Sequence, residues 1–298
     1  MSDAKRPAGQ RDTRKQLEKE VLTEYPRLGP DDRFSFACHP GVSCFNCCCA
    51  NINIFLSPYD VLRLKKRLGI SSTEFLDQYA ALPIQKDMRT PVVMLRMNDD
   101  ERKTCPLLGK DGCTVYSDRP WPCRMYPLGL AAQKDTPDGW RGERFYFLLK
   151  EEECKGFDEP QPWTVREWLD NQQVGPYDEW GEAFKELTLH RFFEDGGTLS
   201  PQKMHMFFTA CYDLDRFRQF VFASTLLERF EIDEDFVEEM RYDDEALLRF
   251  AFLWVRFSLF AEDTVRPKPE VVEAFKGNVD KGALFTRRAA ETATEGTS

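Results

Sequence analysis

Nine of the ten cysteines in this 298-residue chain lie between Cys38 and Cys154, while residues 155–298 carry only Cys211. The first group is Cys38, Cys44 and the triplet Cys47, Cys48 and Cys49; the second is Cys105, Cys113, Cys123 and Cys154. Thiolates at this density repel one another unless a cation neutralises them, so a reduced cluster of this kind implies a metal. A zinc ribbon would show two C-x2-C knuckles, each presenting two sulphurs to one tetrahedral ion. Only Cys44 and Cys47 have that spacing. Vicinal cysteines in an extended segment point to opposite faces, which suits two metal centres or one larger cluster better than a single small ion. The radical-SAM spacing C-x3-C-x2-C is absent, because Asn51 stands where the third cysteine after Cys44 and Cys48 would fall.

Disulfides are the competing explanation, and two observations disfavour them. Apolar residues make up 42% of the chain and aromatics 13%, with 24 Phe, so a chain of this length has material for a real core and no need of covalent staples. The N-terminus is polar, with Lys5, Arg6, Arg11, Arg14 and Lys15 and no apolar run behind them, so neither a secretory signal nor a membrane anchor is expected. A cytoplasmic, reducing setting follows, in which clustered cysteines are metal or redox groups. The formal charge of −10 argues against nucleic acid or anionic lipid as partner. The longest strongly apolar stretch, Phe250 to Val255, is far too short to span a bilayer. The acidic run from Glu228 to Glu245 reads as a solvated helix face.

Periodicity and turn residues predict an α+β chain: a small cysteine-rich metal-binding domain of short antiparallel strands and helices, then a mostly helical C-terminal region. The expected boundaries are a flexible tail at 1–33 with one short helix around Arg14 to Glu24, a metal-binding domain at 34–160, a helical region at 161–285 and a disordered tail at 286–298. Asn51 to Leu56 alternates as a strand does. Ser57-Pro58 starts a helix that Gly69 ends, and Ser71 with Glu74 forms a capping box for the next. Val92 to Met97 and Phe145 to Leu149 read as strands that pair in a small antiparallel sheet. Further on, Thr164 with Glu167 and Ser200-Pro201 open helices, Asp213 caps one running to about Arg229, and the last spans Asp243 to Ala261. Its stripe of Phe250, Trp254 and Phe257 is expected in a core.

The block from Cys38 to Cys49, Cys105-Pro106-Leu107-Leu108 with Cys113-Thr114-Val115-Tyr116, Arg119-Pro120, and Cys123-Arg124-Met125-Tyr126-Pro127 together resemble the YkgJ-type cysteine-cluster family, described as chelating zinc or iron. Cys154 resembles its late cysteine, within Glu153-Cys154-Lys155-Gly156. The resemblance covers about residues 34 to 160 and implies metal ligation by Cys38, Cys44, Cys47, Cys48, Cys49, Cys105, Cys113, Cys123 and Cys154, with zinc, iron or a [4Fe-4S] cluster as the cofactor. Two departures stand out: the gap from Cys38 to Cys44 is longer than in the family's C-x2-C-x2-C-C form, and the triplet offers either Cys47-Cys48 or Cys48-Cys49 as the family's pair. Cys48-Cys49 is the favoured choice, leaving one bystander. The same region resembles part of flagellin lysine-N-methylase, where an iron–sulphur centre accompanies methyl transfer. An iron–sulphur-dependent enzyme is therefore the alternative to a metal-handling, redox or structural protein.

Among the other candidates, Cys211 sits alone between Phe207, Phe208 and Leu214 and reads as a small core residue. His39 is a weak candidate for a nitrogen ligand beside Cys38, and His190 and His205 have no partners in the sequence pattern. Arg119 and Arg124 are placed to offset thiolate charge through N–H to sulphur contacts, on a loop stiffened by Pro120, Pro122 and Pro127.

Overall fold

The computed structural model describes residues 26–83, 88–132 and 144–273. The helix expected around Arg14 to Glu24 and the tail expected at 286–298 lie outside the described residues, as does most of the tail expected at 1–33. The architecture is α+β, with short antiparallel strands and helices first and a mostly helical C-terminal part. The chain groups into two compact units: described residues up to Leu56 and from Met94 to Trp180 form one, and those from Ser57 to Val93 and from Gly181 onward form the other.

In the first unit, strand Arg33–Ser35 runs antiparallel to Pro162–Thr164, with Phe34 opposite Trp163. The period of two turns Phe34 inward between exposed Arg33 and Ser35. Phe36, one pleat further, sits edge-on to Trp168 at 5.5 Å and to Phe157 at 5.2 Å. These rings join Met125, Leu128, Val165 and Val174 in a buried cluster. Helix Val165–Asn171 begins with the expected capping box, Thr164 accepting from the Glu167 N–H and Glu167 accepting from the Thr164 N–H.

The strands foreseen at Val92 to Met97 and Phe145 to Leu149 both form, as Val93–Leu95 and Arg144–Leu148, but they do not pair with each other. Arg144–Leu148 pairs instead with Leu128–Ala132, in register Leu128 to Leu148, and the Leu95 N–H donates to Ile54 O at 2.9 Å. The sequence Leu-Gly-Leu-Ala-Ala carries little intrinsic strand signal. Its glycine accommodates the partner: a Cβ at Gly129 would stand 2.4 Å from Phe147 Cζ, so the bare glycine lets that cross-strand ring lie over the strand.

The second unit is built by helices whose ends match their sequence signals. Helix Pro58–Leu68 has the Ser57 cap, a first-turn proline, Lys65, Lys66 and Arg67 in its last turn, and Gly69 in the left-handed conformation at φ 67°. Helix Ser72–Tyr79 carries the Ser71–Glu74 capping box. Helix Asp244–Phe260 is buried on most of its circumference, with Phe250 stacked on Phe217 at 6.1 Å and Trp254 edge-on to Phe230 at 5.3 Å. Among the described residues no helix is long and apolar enough to cross a membrane.

Two expectations for this unit are corrected. The helix after Asp213 ends at Ala223, with a separate turn at Leu226–Arg229, and the Asp213 side chain does not cap it. Its carboxylate accepts instead from Ser72 Oγ and Thr73 Oγ1, both at 2.8 Å, a tertiary demand that outcompetes the local one. Within the acidic run, Asp244 is not solvated: buried Lys65 reaches it at 3.0 Å and Asp215 at 3.1 Å, and Arg218 pairs with it as well.

Candidate metal centre

Every clustered cysteine belongs to the first unit, and short local structure sets each one in place. The Arg33–Ser35 strand continues through Phe36, whose N–H donates to Gln161 O at 2.9 Å, and Ala37, whose N–H donates to Gly156 O at 3.0 Å. That ladder delivers Cys38 beside Cys154. From there the chain turns twice, Val42 N–H to His39 O and Phe45 N–H to Val42 O, and presents Cys44, whose sulphur accepts the Lys155 N–H at 3.1 Å. The triplet follows as a single 3-10 turn, Cys47–Cys49, entered through Asn46 in the left-handed conformation at φ 66°.

This turn corrects the extended geometry assumed for the vicinal cysteines. With three residues per turn, neighbours diverge by about 120° rather than 180°. Cys48 and Cys49 thus remain within hydrogen-bond reach of each other while facing different companions. The Cys105 N–H donates to Cys49 O at 2.8 Å, and a tight hairpin pairs Leu108 with Cys113 across Gly109 and Gly112. Gly112 adopts φ +122°, which a side chain would oppose. Cys123 is carried by the five-residue helix Trp121–Met125.

The electrostatic neighbours of the thiols sort them. Burial, then the charges of Cys48, Cys44 and Cys154, push the Cys38 thiol up to about 11. The hydrogen bond with Cys49 draws the Cys48 thiol down to about 7 against its own burial, and the same bond holds the Cys49 proton far more tightly. Cys105 and Cys123 lie close enough to Cys49 to oppose its ionisation, and Cys113 does the same to Cys105, whose main shift comes from burial. Burial and a hydrogen bond to Cys154 raise the Tyr126 hydroxyl. Tyr126 thereby lies at the edge of the site, a position its place in the motif foreshadowed without revealing the contact.

All ten cysteines are free thiols. Among the described residues no group of three or more His, Cys, Asp and Glu side chains stands in metal-holding geometry. The backbone brings the cysteines together, and closing on an ion is left to side-chain rotation. As donors the thiols suit zinc, iron and iron–sulphur centres.

The two arginines act differently from the expectation. Arg124 donates from Nε to Arg119 O at 2.9 Å, from Nη1 to Gln172 O at 2.8 Å, and from Nη2 to Tyr177 Oη at 2.9 Å and to Ser117 O. Its recorded bonds end on oxygen, not sulphur, so it ties the Cys123 loop to the segment after helix Val165–Asn171. Arg119 donates to Tyr116 O and Gln172 Oε1; burial pulls its guanidinium down while the Cys123 and Cys113 charges pull the other way. His39 turns aside: Nδ1 accepts from the Gly41 N–H at 3.1 Å and Nε2 lies 3.4 Å from Glu159. Cys211 is fully buried in the second unit, and His190 bonds Glu262 at 2.9 Å.

Gly156 is a residue whose role only the structure reveals. A Cβ there would stand 2.6 Å from Phe36 Cε2 and 2.7 Å from Ala37 O. Gly156→Ala is expected to cost about 1–3 kcal/mol through overpacking against backbone. Because the clash falls between Cys38 and Cys154, metal content should fall together with the urea midpoint. Full metal content in a destabilised variant would show that this contact does not shape the site.

Residues 37–155 match the model of the CxxCxxCC family, described as "Putative zinc- or iron-chelating domain". The match supports a general metal-binding role. No curated protein and no solved structure matches the chain significantly.

Proposed function

We propose that this protein binds zinc, iron or an iron–sulphur centre through the cysteine thiolates of its first unit, in the reducing cytoplasm, and that its role is metal handling. The observation that carries this reading is the gathering of free, exposed or half-buried thiols from the segments 38–49, 105–113, 121–125 and 154–155 in one unit, with backbone hydrogen bonds from Cys105 to Cys49 and from Ala37 to Gly156 in place of disulfides. Cys38 and Cys48 are exposed, which suits a centre reached from solvent better than a sealed structural staple.

Anaerobic purification, metal analysis and an absorption spectrum test it. At least one metal centre per chain is expected, brown if iron–sulphur and colourless if zinc. Less than about half an equivalent of zinc and iron combined would refute the reading, because four-thiolate sites bind too tightly to be emptied by handling.

A further inference from the structure

Resting on the metal-binding reading, we propose that Lys155 and Tyr126 are positioning residues for the metal centre: the Lys155 main-chain N–H holds the Cys44 sulphur and the Tyr126 hydroxyl holds the Cys154 sulphur, ready before the ion arrives. The Lys155 N–H donates to Cys44 Sγ at 3.1 Å, across 111 residues of sequence. Both flanks of this donor are tied. On one side the Cys154 N–H donates to Glu151 O at 3.0 Å, and on the other Gly156 O accepts from the Ala37 N–H at 3.0 Å. Gly156 also lies so close to Phe36 and Ala37 O that a Cβ would not fit between them. The Lys155 side chain plays no part, its Nζ donating to Glu152 O at 3.2 Å.

Tyr126 is held as firmly. Its ring stands edge-on to Phe36 at 5.8 Å, and its N–H donates to Pro122 O at 3.3 Å. The segment leading to Cys154 is bound to the next residue, the Leu149 N–H donating to Pro127 O at 2.9 Å, and Tyr126 and Cys154 pack on the same buried cluster. From there the hydroxyl donates to the Cys154 sulphur. Phe36, itself buried, thus braces both donors, the Tyr126 ring directly and the Lys155 N–H through Gly156. A metal-bound thiolate carries charge that fixed N–H and O–H donors offset, and such donors orient the sulphur as well. Among the described residues no three ligand side chains stand in metal-holding geometry, so other thiols must turn to close on an ion, and Cys44 and Cys154 are the fixed points on which they close.

Tyr126→Phe tests the hydroxyl, since it keeps the ring on Phe36. Zinc affinity of the reduced full chain, measured by competition with a chelator, is expected to fall about 10-fold, with the urea midpoint of the metal-free protein unchanged. Unchanged affinity would overturn the role of Tyr126, and a midpoint that falls together with affinity would reduce the residue to a packing one. Amide exchange tests Lys155 without altering its side chain. In metal-free reduced protein, Cys44→Ala should speed exchange of the Lys155 amide about 10-fold, and in wild type zinc should slow it further. Equal exchange in wild type and Cys44→Ala would show that the bond does not form, and exchange unaltered by tightly bound zinc would show that the donor serves no metal ligand. Either result overturns the role of Lys155 and leaves metal binding intact. A protected Lys155 amide in a chain that takes up neither zinc nor iron would instead overturn the metal-binding reading, and with it the role of both donors.

Discussion

Stripping the metal with excess chelator under reducing conditions should raise amide exchange in the segments 38–49 and 105–126 by about 100-fold or more, with helices Pro201–Cys211 and Asp244–Phe260 left protected. The reason lies in what holds each region. Cysteine-bearing segments consist of turns, two-residue strands and a five-residue helix, and the buried cluster beneath them is small. Thiolate–metal bonds, worth about 10–16 kcal/mol in small zinc domains, are the cross-links such a region lacks otherwise. The second unit has its own aromatic interior, with Phe207, Phe217 and Phe250 fully buried, and no clustered cysteine. Hydrogen exchange resolved by peptide separates the outcomes. Uniform deprotection would show one cooperative body, and with it the boundary expected at 160 would have to go. Unchanged protection in 38–49 would show that the metal does not fold the loops.

Replacing Arg124 with Ala should cost about 3 kcal/mol or more. The guanidinium is almost wholly buried and supplies donors to the carbonyls of Ser117, Arg119 and Gln172 and to the Tyr177 hydroxyl, while its plane lies 4.3 Å from the Tyr177 ring centre. Removing it strands several buried acceptors at once, each costing about 1–3 kcal/mol before relaxation. Arg124→Lys should rescue little, since a point ammonium does not span a fork of divergent oxygens. Urea midpoints would read both variants. A loss below about 1 kcal/mol, or full rescue by lysine, would show that the clasp is replaceable.

How much of this was legible beforehand depends on the range of each interaction. Ser57, Ser71 and Thr164 announce helices because cap and third residue are neighbours in sequence, and each forms as read. Asp213 looked alike and was diverted by Ser72 and Thr73, more than a hundred residues earlier. The strand Leu128–Ala132 escaped notice because its composition carries little strand signal and its pairing is with Arg144–Leu148, a separate segment. At the site, the crowding of cysteines was plain. The oxygen partners of Arg124 were not, since Gln172 and Tyr177 lie some fifty residues away and carry no motif.

The sequence by itself determined that this chain gathers nine cysteines in the stretch that matches a zinc- or iron-chelating domain, and it determined the helix ends, whose signals are local. Only the tertiary structure decided which thiol meets which. The ladder from Arg33–Ser35 to Gly156, the 3-10 turn at Cys47–Cys49 and the hairpin of Cys113 depend on contacts between distant segments, and spacing along a chain does not encode the direction in which a folded turn points its side chains.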